Sequence, residues 1–188
     1  MNPRVLHPDQ PESFAFSAAS LKRVEAEIAK YPAGRQASAV IAALTIGQEQ
    51  EGWVTRPMIE AVADMLSMPK IRVLEVATFY TMFHLAPAGK HVVAVCSCVP
   101  CSLIGSGGLV AVCKKHIAEH PGEVSADGQL SWEEAECLGA CAEAPAMQVD
   151  GELYGHLTDA RAVAIIEAFR RGEHPAPEPK PESKKKAV

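Results

Sequence analysis

Cysteine is the residue type in this chain most suited to chemistry, and all six cysteines lie in the second half. Four of them form two close pairs in the segments VCSCVPC and ECLGAC, namely Cys96 with Cys101 and Cys137 with Cys141. Four thiolates supplied by two loops can hold a tetrahedral zinc ion or an iron–sulfur cluster. The two pairs therefore predict one metal site shared between two loops.

The spacing of these cysteines leaves three kinds of chemistry open. Zinc ribbons use a tight Cys-x2-Cys on each side, which this chain offers only at Cys98 and Cys101. The same Cys-x-x-Cys between a strand and a helix is also typical of a thioredoxin-type redox pair. A [2Fe–2S] cluster is larger than zinc and suits the wider loops, whose glycines let N–H groups approach anionic sulfur. That interpretation leaves Cys98 spare, and Cys113 as a buried thiol on a helix.

The first half of the chain predicts a helical unit. Apolar residues recur there at helical spacing, and Gly and Pro separate the runs. The predicted helices run from Ser17 or Ser20 past Ile28, from about Gln36 to Gln50, from Thr55 to Leu66, and from Ile71 to about Phe83. Residues 1–16 contain three prolines and no periodic pattern, which predicts an extended arm, so the helical domain is assigned to residues 17–86.

The second half predicts a small sheet with helices. His91–Val95 is a short run rich in β-branched residues, which favours a strand. Further strands are expected just before Cys137, at 146–149 and at 152–154, and helices are expected to open at the glycine-rich segment 105–108 and at Thr158. This order predicts an α+β fold with a thioredoxin-like layer over residues 87–172. Residues 173–188 combine prolines and lysines with little apolar content, which predicts a disordered tail.

Charge and hydropathy limit the partners and the compartment. A formal charge of -5 and a pI near 5.8 disfavour nucleic acid as the main partner, because phosphate binding requires a basic surface. No apolar run reaches the roughly 18 to 20 residues of a membrane span, and the opening residues lack the apolar segment of a secretory signal. We therefore expect a cytoplasmic chain, in which cysteines bind metal more often than they form disulfides.

A function of another class stays open on the first half alone. Residues 59–66 and 71–83, with a break between them, have the arrangement of a helix-turn-helix, so the chain could be a metal- or redox-sensing DNA-binding protein. The second of these helices offers only Lys70 and Arg72 as cations, which is a poor phosphate surface. Four histidines have no paired spacing typical of metal ligands: His84, His91, His116 and His156.

Five segments, in the right order, resemble one protein family. They are YPAGRQASAV, GQEQEGWV, EVATFYTMF, VCSCVPC and ECLGACAEAP, and the similarity covers about residues 14–172. Together they resemble the 24 kDa subunit of NADH:quinone oxidoreductase, the respiratory complex I of bacteria and mitochondria. The resemblance implies a helical N-terminal region followed by a thioredoxin-like ferredoxin domain with one [2Fe–2S] cluster.

The resemblance also implies the site residues and the partners. The family's four ligands fall on Cys96, Cys101, Cys137 and Cys141. In that family the cluster exchanges electrons with FMN in a larger flavoprotein subunit, which also binds NADH. The chain is then a non-catalytic electron carrier among the peripheral-arm subunits, held at the inner membrane through the complex without inserting into it. Related subunits serve NAD-dependent formate dehydrogenases and hydrogenases, so the equivalent component of such an enzyme is the alternative.

The chain departs from the family at two positions near the second ligand. Cys98 stands where the family usually has Thr or Ser, and Ile104 stands where it usually has Arg. We expect Cys98 to be dispensable for the cluster. A positive charge missing at Ile104 would remove some stabilisation of a reduced, more negative cluster. Thioredoxin-like folds often have a cis-proline beside this loop, which predicts a cis bond at Ala144–Pro145.

Overall fold

The computed structural model describes residues 4–177 of this 188-residue chain. The chain divides between Ala88 and Gly89 into two compact units. Residues 1–3 of the predicted arm and 178–188 of the predicted tail lie outside the described residues.

The first unit is built from helices, as predicted. They are α1 (Ala18–Ile28), a 3-10 turn (Gln36–Ala39), α2 (Val40–Glu51), α3 (Arg56–Met65) and α4 (Lys70–Phe79). Ser17 is the N-cap of α1, since its Oγ accepts a hydrogen bond from the Ser20 N–H at 3.1 Å. Gly52 ends α2 with a φ of 83°, a left-handed conformation that glycine adopts without steric cost.

The end of α4 differs from the sequence prediction. The helix stops at Phe79 rather than near Phe83, because Tyr80 takes an extended conformation. The guanidinium of Arg4 donates hydrogen bonds to the carbonyls of Thr78 at 2.9 Å, Tyr80 at 2.9 Å and Phe83 at 2.7 Å. These bonds satisfy carbonyl groups that the ending helix leaves free. The arm thereby fixes the position of the helix end.

The arm is bound to the helical unit at several further points. The N–H of His7 donates to the Leu85 carbonyl at 2.8 Å, and Leu6, Phe14 and Phe16 pack against the helical core. The core itself is formed by apolar side chains from all four helices, including Val24, Ala43, Leu44, Met58, Val62, Val73 and Ala77. Residues 4–16 form no helix or strand, in agreement with the extended arm that the prolines predict.

The N-cap of α3 supplies a test of helix capping. The buried Thr55 Oγ1 accepts a hydrogen bond from the Met58 N–H at 3.2 Å. Thr55→Val keeps the volume but removes the acceptor, so we expect it to lower the free energy of unfolding by about 1 kcal/mol. Thr55→Ser keeps the hydroxyl and should lose less than the valine variant. Denaturant titration of both variants checks this, and a larger loss for serine would contradict the capping role.

The pairing of charges on α4 bears on the DNA-binding alternative. Lys70 Nζ lies 3.1 Å from Glu60 Oε2, and Arg72 Nη1 lies 2.8 Å from Glu75 Oε2. Both cations of this helix therefore have a carboxylate partner, which reduces the positive potential available to phosphate groups. The geometry of α3 and α4 gives no support to a nucleic-acid surface.

The second unit combines a four-stranded sheet with helices. Its elements are β1 (His91–Cys96), α5 (Val99–Ile104), α6 (Ser106–His116), β2 (Leu130–Ala135), a 3-10 turn (Cys141–Glu143), β3 (Met147–Val149), β4 (Glu152–Tyr154) and α7 (Asp159–Arg170). The strand order is β2-β1-β3-β4, with β1 and β2 parallel and the other neighbours antiparallel. The predicted α+β fold class is confirmed.

One helix of the second unit is absent from the sequence prediction. The helix expected at the glycine-rich segment begins at Ser106, but the short helix α5 precedes it. Gly105, at a φ of 128°, separates the two helices in a backbone conformation that side chains rarely allow. The element that begins beside the first cysteines is therefore α5 and not α6. Its six residues are too few to show a helical period.

The core of the second unit anchors the strand ends that carry the cysteine loops. Trp132 on β2 is fully buried, and its Nε1–H donates to the Ala118 carbonyl at 2.8 Å. Apolar side chains from the sheet, α6 and α7 surround it, among them Val93, Val95, Leu109, Leu130, Ile165, Ile166 and Phe169. This packing fixes β1 and β2, from whose carboxyl ends the two cysteine loops leave the sheet.

Candidate metal centre

The first cysteine loop starts at the end of a central strand. Cys96 is the last residue of β1, Cys98 is the N-cap of α5 and Cys101 lies within α5. The Cys96 N–H donates to the Ala146 carbonyl at 3.0 Å, and the Ser97 N–H donates to the Ala135 carbonyl at 2.8 Å. The loop is thus held from both neighbouring segments of the sheet.

The second cysteine loop follows β2 and is held by the segment before α7. Cys141 opens the 3-10 turn, and the Glu143 carbonyl accepts a hydrogen bond from the His156 N–H at 2.6 Å. The Pro145 carbonyl accepts one from the Leu157 N–H at 3.1 Å. The Ala144–Pro145 bond is cis, which confirms the sequence prediction.

The sulfur atoms of the two loops converge. The Sγ atoms of Cys96, Cys98 and Cys101 lie within 4.8 Å of one another, and so do those of Cys98, Cys137 and Cys141. All four cysteines predicted as ligands are therefore brought to one place, with Cys98 common to both groups. Within residues 4–177, these candidate ligand groups contain cysteine only. A purely thiol donor set suits iron–sulfur clusters and zinc, and disfavours magnesium or calcium.

The two sides of this site differ in burial. Cys96 and Cys101 are 1% and 0% exposed and pack with Ala144 and Leu138 in a small apolar cluster. Cys137 and Cys141 are exposed in the described structure. The site therefore has one side sealed by the protein and one side open to solvent.

The environment of the first loop separates the acidities of its three thiols. Burial opposes ionisation of Cys96, but the N–H groups of Cys98 and Leu138 and the thiols of Cys101 and Cys98 hold its pKa below the ordinary value. Burial, with the neighbouring Cys96, raises the pKa of Cys101. The N–H of Cys101 favours the Cys98 thiolate, but the contact with Cys96, 3.4 Å between Sγ atoms, and burial raise the pKa of Cys98 to about 12. Of these three thiols, Cys96 is the first to ionise.

A backbone N–H also approaches sulfur in the second loop. The Gly139 N–H donates to Cys137 Sγ at 3.4 Å, and Gly139 has a φ of 72°. This contact is of the kind expected from glycines beside the cysteines, and it stabilises negative charge on sulfur.

The remaining cysteine and the histidines lie apart from this thiol cluster. Cys113 is buried in the core of the second unit, where burial raises the pKa of its thiol to about 12. His91 Nδ1 contacts Asp150 at 2.5 Å, and His116 Nδ1 lies 3.6 Å from Glu167 Oε1. Burial, and then Arg4, lower the pKa of His84. In the described part of the chain, none of these histidines joins a candidate metal-ligand group.

An apolar surface adjoins the thiols. Val99, Leu103 and Ile104 on α5 are 72%, 82% and 61% exposed. Neighbouring apolar side chains left in solvent mark surfaces that other proteins cover. Ile104, where the resemblance leads one to expect Arg, belongs to this surface.

Cys98 is the residue whose place the sequence does not predict. The sequence interpretation leaves it as a spare thiol, whereas its sulfur lies in both groups of converging cysteines. The available signal is the Cys98-x-x-Cys101 spacing, which is typical of a metal knuckle. That spacing alone does not show that the second loop approaches the same sulfur.

Comparison with protein families gives a match over most of the chain. A family model described as thioredoxin-like [2Fe-2S] ferredoxin matches residues 24–170. That range contains both cysteine pairs and most of the helical unit.

Two curated relatives are components of NADH-quinone oxidoreductase, and both are named as its E subunit. The protein from Rhizobium meliloti, the first of two such subunits there, is 51% identical over 165 residues, which cover 87% of this chain and 60% of that protein. The protein from Rickettsia bellii is 43% identical over 159 residues, which cover 84% of this chain and 95% of the relative. The chain thus spans 60% of the longer relative's length and nearly all of the shorter one's.

A solved structure shares the fold. A chain of NAD+-reducing [NiFe]-hydrogenase in the H2-reduced state superposes with a TM-score of 0.60 at 23% sequence identity. The similarity covers 70% of this chain and 22% of the hydrogenase chain. At this identity the likeness is one of fold.

Proposed function

This chain belongs to the thioredoxin-like [2Fe–2S] ferredoxin family, as its motifs predicted, and from that premise we propose that it is the electron-carrying 24 kDa-type subunit of an NADH:quinone oxidoreductase. The observation that carries the proposal is the convergence of cysteine sulfurs from two loops. A purely thiol donor set is the one that an iron–sulfur cluster requires. The proposed cofactor thus fits the residues present.

We propose that four cysteines hold this cluster: Cys96, Cys101, Cys137 and Cys141. Cys96 and Cys101 would supply the buried pair of thiolates, and the second loop would supply the solvent-facing pair. A bound [2Fe–2S] cluster takes up and releases one electron at a time without making or breaking a substrate bond. The buried pair excludes water from one side, while the Gly139 N–H stabilises negative charge on Cys137.

The substrate chemistry is assigned to a partner. The chain has no Gly-x-Gly-x-x-Gly fingerprint of a dinucleotide site, so NADH and FMN are proposed to bind a flavoprotein subunit of the same complex. The exposed Val99, Leu103 and Ile104 beside the thiols supply an apolar surface of the kind that a protein partner covers. The chain would be a non-catalytic subunit of the oxidoreductase, in contact with that flavoprotein and other peripheral-arm subunits.

The host complex and its place in the cell follow from the relatives. Their names favour NADH:quinone oxidoreductase over a formate dehydrogenase or a hydrogenase. Within residues 4–177 no helix is both long and apolar enough to cross a bilayer. We propose that the subunit lies on the cytoplasmic side of the inner membrane, held there by its complex. Residues 17–86 and 87–172 are proposed as its helical and ferredoxin domains.

The cofactor is tested on protein purified without oxygen. We expect about two iron and two sulfide per chain, and a rhombic paramagnetic signal on one-electron reduction. One zinc ion per chain without sulfide would support the zinc alternative and contradict the proposal. Cys113→Ala is the control, because this buried thiol lies outside the site and its loss should leave the spectrum unchanged.

Purification of the native complex tests the host. We expect the chain to be recovered with a flavoprotein that binds FMN and NADH, and with a quinone-reducing activity. Recovery with a formate-oxidising or hydrogen-oxidising subunit instead would assign the chain to the alternative enzyme. The cofactor measurement is independent of this result.

A further inference from the structure

Cys98 is the only cysteine shared by the two groups of converging sulfurs in the described residues. Its Sγ lies 3.4 Å from that of Cys96. It also lies within 4.8 Å of the sulfurs of Cys137 and Cys141 in the other loop. The site therefore presents five thiols where a [2Fe–2S] cluster requires four.

We propose that Cys98 is a standby ligand, which binds iron when one of the four primary ligands is lost. This inference rests on the proposed [2Fe–2S] function. In the replacement, the Cys98 S–H bond breaks, the proton goes to solvent, and a bond from Cys98 Sγ to iron forms at the position of the missing sulfur. No electron is transferred, and the iron and sulfide of the cluster are retained.

The position of Cys98 suits replacement in the first loop. It lies between Cys96 and Cys101 in sequence, so any pair of the three leaves two thiols on one short loop. If Cys96 is lost, Cys98 and Cys101 form the tight Cys-x-x-Cys spacing common at metal sites. If Cys101 is lost, Cys96 and Cys98 remain in direct contact.

The same sulfur also reaches the second loop. If Cys141 is lost, Cys98 and Cys137 remain within 4.8 Å of each other, while Cys96 and Cys101 still supply the other pair. Cys98 is half-buried, and as the N-cap of α5 it lies where a loop joins a helix, so a small shift there need not disturb the sheet. One additional thiol can therefore substitute for one missing ligand in either pair.

The test compares single and double variants made and purified without oxygen. Cys101→Ala and Cys141→Ala, each alone, should keep more than half of the wild-type iron and sulfide, with a changed absorption and paramagnetic spectrum. Each combined with Cys98→Ala should show at least the roughly tenfold loss of metal binding that removal of one supporting group already causes. Cys101→Ala combined with Cys113→Ala is the matched control, and should behave like Cys101→Ala.

Each other outcome overturns the inference in a recognisable way. Loss of the cluster in both single variants would show that Cys98 does not replace a ligand, while a loaded wild-type protein would leave the proposed function standing. Loss of the cluster in Cys98→Ala alone would make Cys98 a primary ligand, and retention in the double variants would assign the replacement to another group. A wild-type protein without iron would contradict the proposed function itself. If the buried Cys101→Ala does not fold, as judged by circular dichroism, the exposed Cys141→Ala decides.

Discussion

Replacing Cys137 and Cys141 together by alanine is expected to abolish binding of the iron–sulfur cluster. The variant keeps Cys96, Cys98 and Cys101, which is one thiol fewer than a [2Fe–2S] cluster requires, even with the standby ligand in place. Both replaced side chains are exposed, so the fold should survive the change. Iron and sulfide should fall to background, and the visible absorption and the paramagnetic signal should disappear.

A second double variant controls for the number of cysteines removed. Cys98→Ala with Cys113→Ala also deletes two thiols, but it leaves the four proposed ligands intact. We expect it to bind the cluster with the wild-type content of iron and sulfide. If the Cys137 and Cys141 double variant kept its cluster, the second loop would not belong to the site, and the ligand assignment would be wrong.

The second large effect is expected from the core of the ferredoxin unit. Leu109 on α6 is 1% exposed, and it packs with the sheet and α7. Leu109→Ala should lower the free energy of unfolding by about 2 to 5 kcal/mol, since the substitution removes buried apolar surface and leaves a cavity. Leu103→Ala deletes the same atoms from the exposed face of α5 and should change it by no more than about 0.5 kcal/mol.

The reporter for this comparison is already in the chain. Of its two tryptophans, Trp53 lies in the helical unit and Trp132 is buried in the ferredoxin core. In a Trp53→Phe background, denaturant unfolding followed by fluorescence therefore reports on the ferredoxin unit. Similar losses for Leu103→Ala and Leu109→Ala would contradict the assignment of Leu109 to the core and Leu103 to the surface.

The sequence predicted the elements that are encoded locally. The start of α3 follows from Thr55 and Pro57, since a threonine N-cap with proline in the first turn is a local signal. The strand β1 follows from a run of β-branched residues, and its predicted end was one residue from the observed one. The family followed from five ordered segments, because several weak matches in sequence are jointly specific.

Features that depend on distant residues could not be predicted in the same way. The early end of α4 involves Arg4, which lies 74 residues before Thr78 in sequence. The central position of Cys98 depends on the approach of two loops with thirty-five residues between Cys101 and Cys137. Spacing within one segment has no information on which sulfur meets the other loop. The ligand set was therefore predictable as four cysteines, and the presence of a fifth thiol among them was not.

The parallel pairing of β1 with β2 has a consequence for how the site matures. Its register places Cys96 opposite Ala135, so that Cys137 follows two residues beyond the paired end of the neighbouring strand. A slip of one residue would turn the side chains of a strand to the opposite face. The distance between the two halves of the thiol cluster is thus inherited from backbone alignment between segments far apart in the chain. Since such non-local pairing forms late in folding, we expect metal insertion to wait for a completed sheet, and cluster content to report on correct strand alignment.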